Sequence, residues 1–219
     1  MPPSPRLDQE ALAQIVTSTL GHYQAHAEDF WEGTRDHDVS QNRDALLRHL
    51  AAKHPARILD FGCGPGRDLI AFDAAGHDVV GLDGAARFCE LAREHSGCEV
   101  LHQDFLALSL EPSSFDGIFA NASLFHIPTQ ELPRVLSQLW QALRTDGVLF
   151  ASNPRGDNQE GFNGARYGSF LDLDRWRDLA SRSGFVELEH YYRPPGRPRA
   201  EQPWLAMVWR KQALVRQGA

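Results

Sequence analysis

The chain has 219 residues, 42% of them hydrophobic, and a formal net charge of −7, long enough to bury a full core as one domain with appendages. No block of lysine and arginine occurs, which argues against a nucleic-acid surface, where clustered cations neutralise phosphates. Three cysteines, Cys63, Cys89 and Cys98, show no metal spacing and cannot all pair, so no zinc site or disulfide scaffold is indicated and a reducing compartment fits.

Behind the Pro-rich tip Met1 to Arg6 there is no apolar run, and no stretch of about eighteen apolar residues follows anywhere. A soluble, cytoplasmic protein with no membrane partner is the expectation. Leu7 to about Ala27 reads as an amphipathic helix through Leu7, Ala11, Ile15 and Val16. Asp29 to Ser40, with Phe30 and Trp31 side by side and little periodicity, reads as a loop that covers something. Helical spacing returns from Gln41 to Lys53, and His54-Pro55 ends it, since the residue before proline avoids helical angles.

An alternation follows that sets the fold class. Strands are expected at Ile58 to Phe61, His77 to Leu82, Val100 to Gln103, Phe115 to Ala120 and Gly147 to Ser152, with helices at Arg67 to Ala75, Ala86 to Glu94 and Glu131 to Leu143. Strands alternating with helices imply right-handed crossovers and a parallel sheet covered on both faces. After a helix near Asp174 to Ser183, the runs Phe185 to Tyr192 and Trp204 to Trp209 are joined by Arg193 to Pro198, a non-helical link, and so read as an antiparallel edge.

The glycine turn Gly62-Cys63-Gly64-Pro65-Gly66 follows the first strand and opens a helix, a geometry that brings backbone N–H groups and a helix N-terminus to a small ligand. Dinucleotide sites use G-x-G-x-x-G, which would put glycine at position 67, where Arg67 stands. Asp83 ends the second strand and suits a carboxylate accepting from both ribose hydroxyls. Asp104 ends the third, positioned for an adenine amino group, with Phe105 to pack on the ring. Asp60 reads as a structural partner of the turn's backbone and Cys63 as a small buried residue.

Ile58 to Gly66, Gly81-Leu82-Asp83, Gln103-Asp104-Phe105, Phe115 to Ala120 and Gly147 to Phe150 occur in an order and spacing that resembles the class I S-adenosylmethionine-dependent methyltransferases. The resemblance covers roughly residues 55 to 153. It implies a Rossmann-like, doubly wound α/β domain with a seven-stranded, mostly parallel sheet, an antiparallel last strand and an N-terminal helical lid. In that frame residues 1–54 are the lid and 55–219 the cofactor-binding core. It also implies that Gly62 and Gly64 lie against the methionine moiety, Asp83 and Gly84 meet the ribose, Asp104 and Phe105 frame the adenine, and Asn121 and Ala122 face the cofactor near its sulfonium. Tyr23, on the N-terminal helix, is the expected aromatic over the cofactor.

The acceptor side is read from the residues that remain. His126 follows the fourth strand where a substrate can reach it, as a general base or as a structural hydrogen-bonding histidine. The long polar stretch Ser152 to Gly168 reads as an irregular loop at the ligand edge. Arg155, Tyr167 and Arg197 are expected to contact the acceptor, and Arg166, Arg193 and Arg199 add positive charge nearby; a guanidinium pairs bidentately with a carboxylate. No metal is expected, because His22 and His26 lack a third ligand. The reading is methyl transfer to O, N or S of a small, possibly anionic acceptor by a monomer or homodimer. Its rivals are an NAD(P)-dependent oxidoreductase and a catalytically silent cofactor-binding regulator.

Overall fold

The computed structural model describes residues 6–50 and 55–212; Lys53 and the Pro-rich tip before Arg6 lie outside them, and the helix expected from Gln41 to Lys53 already ends at Leu47. Three helices lead the chain: α1 (Gln9–Ala25), α2 (Ala27–Thr34) and α3 (Ser40–Leu47). Asp8 caps α1, its side chain accepting from the Ala11 N–H at 2.9 Å, which satisfies one of the free donors of the first turn. The alternating section follows as β1 (Arg57–Phe61), α4 (Arg67–Ala74), β2 (Asp78–Asp83), α5 (Ala86–Ser96), β3 (Glu99–His102), β4 (Phe115–Asn121), α6 (Leu132–Ala142) and β5 (Leu143–Pro154).

A hairpin comes next, β6 (Gln159–Asn163) with β7 (Arg166–Phe170), then α7 (Leu173–Arg182), β8 (Phe185–Arg193) and β9 (Trp204–Lys211). The main sheet has the order β3-β2-β1-β4-β5-β9-β8. β1 to β5 pair in parallel, while β9 runs antiparallel to both β5 and β8. The antiparallel strand is therefore internal, and β8 rather than β9 forms the edge expected from the tail. On one face α6 and α7 bury Leu136, Leu139, Trp176 and Leu179 against β1, β4 and β5; on the other, Leu46, Leu69, Phe72 and Cys89 pack on Ile58, Phe119 and Phe150. Central strands covered on both sides read as continuous apolar runs.

Two expected loops are regular structure. Asp29 to Ser40 begins inside α2, which runs to Thr34 and is held by tertiary contacts: Ala27 and Phe30 pack with Phe88 and Leu91, and Trp31 stacks on His95 with centroids 4.1 Å apart. The Ser152 to Gly168 stretch extends β5 and then folds as the β6–β7 hairpin, in which Asn163 pairs with Arg166 around Gly164 at φ +62°. Thr19 and Ser18 of α1 bind this hairpin: Tyr167 N–H donates to Thr19 Oγ1 at 3.0 Å and Ser18 Oγ donates to the Ala165 carbonyl at 2.7 Å.

Candidate active site

A cavity of about 740 Å³ opens at the carboxyl ends of β1, β2 and β4, between the sheet and helices α1 and α2. Doubly wound sheets bind ligands in the crevice outside the carboxyl ends of their strands, and the volume lies in the range of small-molecule sites. Gly62, Gly64, Asp83, Gly84, Asp104, Phe105, Asn121, Ala122 and Tyr23 all line it. Residues read separately from different segments of the sequence thus meet around one cavity.

Local geometry explains why these residue types stand here. Gly62 and Gly64 have φ of +81° and +53°, angles that favour glycine. A methyl group on Gly62 would come 2.4 Å from Ser123 Cβ, and one on Gly84 would come 2.8 Å from Leu20 Cδ2. The turn's N–H groups are used inside the protein. Those of Gly62 and Cys63 donate to the Leu82 carbonyl, that of Gly64 to Asp83 Oδ2 at 3.0 Å and that of Gly66 to the Cys63 carbonyl. These four residues therefore offer no donor to a pyrophosphate, unlike the geometry expected from the glycine spacing alone.

Asp83 also accepts from the Ala85 N–H through Oδ1 at 2.9 Å. Each carboxylate oxygen accepts more than one hydrogen bond, so the pair keeps capacity for two hydroxyls. Burial pushes its pKa up to about 6 against the pull of those backbone donors. Asp104 Oδ1 takes the Leu106 N–H, and Phe105 stacks on Phe61 with centroids 4.3 Å apart, which fixes both at the end of β3. Ala122 is held at φ +61° while its N–H donates to the Ser152 carbonyl at 2.7 Å. Asn121 Oδ1 accepts from Asn42 Nδ2, whose own Oδ1 accepts from the Tyr191 hydroxyl. Asp60 is buried with Oδ2 unpartnered; burial first, then the charge of Asp68, drives its pKa well above the carboxylate range.

The acceptor-side candidates separate. His126 lines the cavity, but both ring nitrogens are engaged, Nδ1 with the Tyr167 carbonyl at 2.6 Å and Nε2 with the Tyr23 hydroxyl at 2.8 Å. Burial lowers its pKa to about 4. Arg155, Tyr167 and Arg197 do not line the cavity. The Arg155 guanidinium donates to the Gln202 and Arg199 carbonyls, pinning the β8–β9 link; the Tyr167 phenol faces Glu160; Arg197 is exposed beside Glu201.

Arg166 and Arg193 line the cavity instead. The hairpin brings Arg166, at the start of β7, over the Tyr23 ring, 6.0 Å from its centroid. The end of β8 brings Arg193 to the segment after α2, where Nη2 donates to the Asp38 carbonyl at 3.1 Å. A third lining arginine, Arg67, is paired with Asp68 at 2.6 Å. Sequence reading missed Trp31, Phe30 and Arg67 as cavity residues; the apolar pair beside a polar segment was the one signal for the first two. No cluster of His, Cys, Asp and Glu suited to a metal occurs among the described residues, and none of their helices is long and apolar enough to cross a membrane.

Residues 58–147 match the family model described as a methyltransferase domain. The chain is 30% identical over 146 residues to a malonyl-[acyl-carrier protein] O-methyltransferase from Enterobacter lignolyticus, covering 66% of this chain and 54% of that protein. It is 32% identical over 132 residues to a trans-aconitate 2-methyltransferase from Deinococcus radiodurans, covering 57% and 49%. The chain thus spans about half the length of these two curated relatives. In fold it is similar to the Burkholderia thailandensis 1,6-didemethyltoxoflavin-N1-methyltransferase solved with S-adenosylhomocysteine, with a TM-score of 0.77, 23% identity, and coverage of 96% of this chain and 93% of that one.

Proposed function

Because the chain belongs to the class I S-adenosylmethionine-dependent methyltransferases, we propose that it transfers a methyl group from S-adenosylmethionine to a small-molecule acceptor. The observation that supports this most is the convergence of Gly62, Gly64, Asp83, Asp104 and Phe105 on one cavity whose glycine turn keeps no N–H for phosphate. The cofactor supplies, when bound, an electrophilic methyl on a sulfonium. Asp83 would take the ribose hydroxyls, Asp104 and Phe105 the adenine, and the Gly62–Gly64 turn with Asn121 and Ala122 the amino-acid end. α1 and α2 cover the cavity and exclude water. Alignment of the two reactants within it supplies much of the rate.

On the acceptor side, Arg166 and Arg193 are the lining arginines that form no ion pair among the described residues. They favour an acceptor carrying a carboxylate or another anion. The relatives named for trans-aconitate and for malonyl-[acyl-carrier protein] are consistent with that class.

Calorimetry with S-adenosylhomocysteine and NAD tests the cofactor. Binding of the first and silence with the second are expected, and the reverse would sink the reading. Labelled cofactor incubated with a metabolite extract tests turnover, and a transferred label separates an enzyme from a silent module. Arg193→Gln then raises acceptor KM with kcat nearly unchanged; an unmoved KM removes the anion from the account.

A further inference from the structure

We propose that Tyr23 offers its hydroxyl oxygen to the cavity purely as a hydrogen-bond acceptor, so that the methyl acceptor meets it through an N–H or O–H group. This rests on the methyltransferase reading above and narrows it to a substrate class.

The direction of a hydrogen-bond chain fixes the outcome. A backbone carbonyl only accepts, so the contact between His126 Nδ1 and the Tyr167 carbonyl at 2.6 Å requires the proton on Nδ1. In a neutral imidazole the other nitrogen then carries a lone pair. Burial among His22, Tyr23 and Arg166 keeps the ring neutral. Nε2 therefore accepts, and the Tyr23 O–H donates to it at 2.8 Å.

The phenol has no second hydrogen to give. Lone pairs are all it shows to the cavity, which both Tyr23 and His126 line. Reversing the chain would need a donor at position 167, and the carbonyl there is a peptide group whose residue is itself fixed: Tyr167 N–H donates to Thr19 Oγ1 at 3.0 Å, and the β6–β7 pairing holds Tyr167 opposite Phe162. The Arg166 guanidinium, over the same ring from the hairpin, also hydrogen-bonds this oxygen, so it takes one of the two lone pairs and leaves the other for the methyl acceptor.

An amine, an N–H heterocycle, an alcohol or a phenol satisfies this oxygen. An ionised carboxylate does not, because it brings lone pairs to lone pairs. A substrate with both features would set its anion on Arg193 and its N–H or O–H on Tyr23. His126 is a positioning residue here, since it acts through the phenol.

Two measurements test this. In the protein without ligand, 15N NMR of the histidine rings, assigned with His126→Gln, is expected to show His126 protonated at Nδ1 and bare at Nε2 from pH 7 down to pH 5. A proton on Nε2 overturns the proposal whatever the cofactor proves to be. In the S-adenosylhomocysteine complex, calorimetry compares 4-hydroxybenzoate and 4-aminobenzoate with benzoate, probes whose carboxylate suits the arginines. The two donors should bind about tenfold tighter, a difference of about 1.4 kcal/mol, and Tyr23→Phe, titrated at a concentration of S-adenosylhomocysteine that saturates the variant, should erase that preference. Equal binding, no binding, or a preference that survives Tyr23→Phe defeats the inference. Loss of S-adenosylhomocysteine binding in the unaltered protein would instead defeat the methyltransferase reading and leave the NMR result to stand alone.

Discussion

Asp83 already accepts from two backbone N–H groups, and in the proposed function its carboxylate would also take the ribose hydroxyls, a second task that pH separates from the first. Its pKa near 6 comes from burial, and only the ionised form would keep both oxygens as acceptors for the ribose hydroxyls of the proposed cofactor. Affinity for S-adenosylhomocysteine should be flat above about pH 6 and fall toward tenfold per unit below it; Asp83→Asn should bind weakly and lose that dependence, as calorimetry across pH would show. His126 acts on stability with the opposite charge type. Its pKa is depressed from 6.5 to about 4 by burial, with His22, Arg166 and Tyr23 facing the ring. Its contribution is full above pH 6.5 and is lost as pH falls toward 4. The stability difference between the wild type and His126→Gln in urea should shrink by about 2–3 kcal/mol between pH 7 and 4.5. Gly62 tests the turn directly. At φ +81°, with a Cβ placed 2.4 Å from Ser123, Gly62→Ala should lower Tm and weaken S-adenosylhomocysteine at least tenfold, the conformation alone costing about 1–2 kcal/mol.

At the scale of elements, what was legible divides by how local its cause is. The strand–turn–helix of β1 and α4 and the acids closing β2 and β3 announce themselves, because apolar runs, glycines and carboxylates at strand ends are local patterns. Helix α2 does not. Eight residues supply too few turns for a period to emerge, and its stability comes from distant groups: Glu28 meets Arg87 at 2.7 Å and Trp31 lies on His95. The hairpin carried a readable sign, Gly164 opening a two-residue turn with Ala165 between two short runs, and that turn is why Arg166 rather than Arg155 faces the cavity. Likewise no residue pattern reveals that Tyr23 and His126, 103 positions apart, share a hydrogen bond. If α2 closes the cofactor cavity, Trp31→Ala should release S-adenosylhomocysteine roughly fivefold faster in stopped flow, the worth of about 1 kcal/mol of stacking, with Tm little changed.

For the molecule as a whole, the cavity is lined by parts from the start, middle and end of the chain: Tyr23, His126 and Arg193. A ligand there braces all three regions. At a hundredfold excess over Kd, S-adenosylhomocysteine should add about 2.7 kcal/mol and raise Tm by about 5–10 °C, readable by calorimetric melting. The position of β9 carries a consequence for the order of assembly. Because β9 sits between β5 and β8, a nascent chain that has emerged only as far as Arg193 has nowhere to dock β8, and one edge of β5 stays bare. The ribosome must deliver Trp204 to Lys211 before the sheet can close, so until then an apolar strand edge stands open to pairing with other chains. Vectorial synthesis thereby makes late emergence, rather than early helix formation, the hazardous interval for this topology.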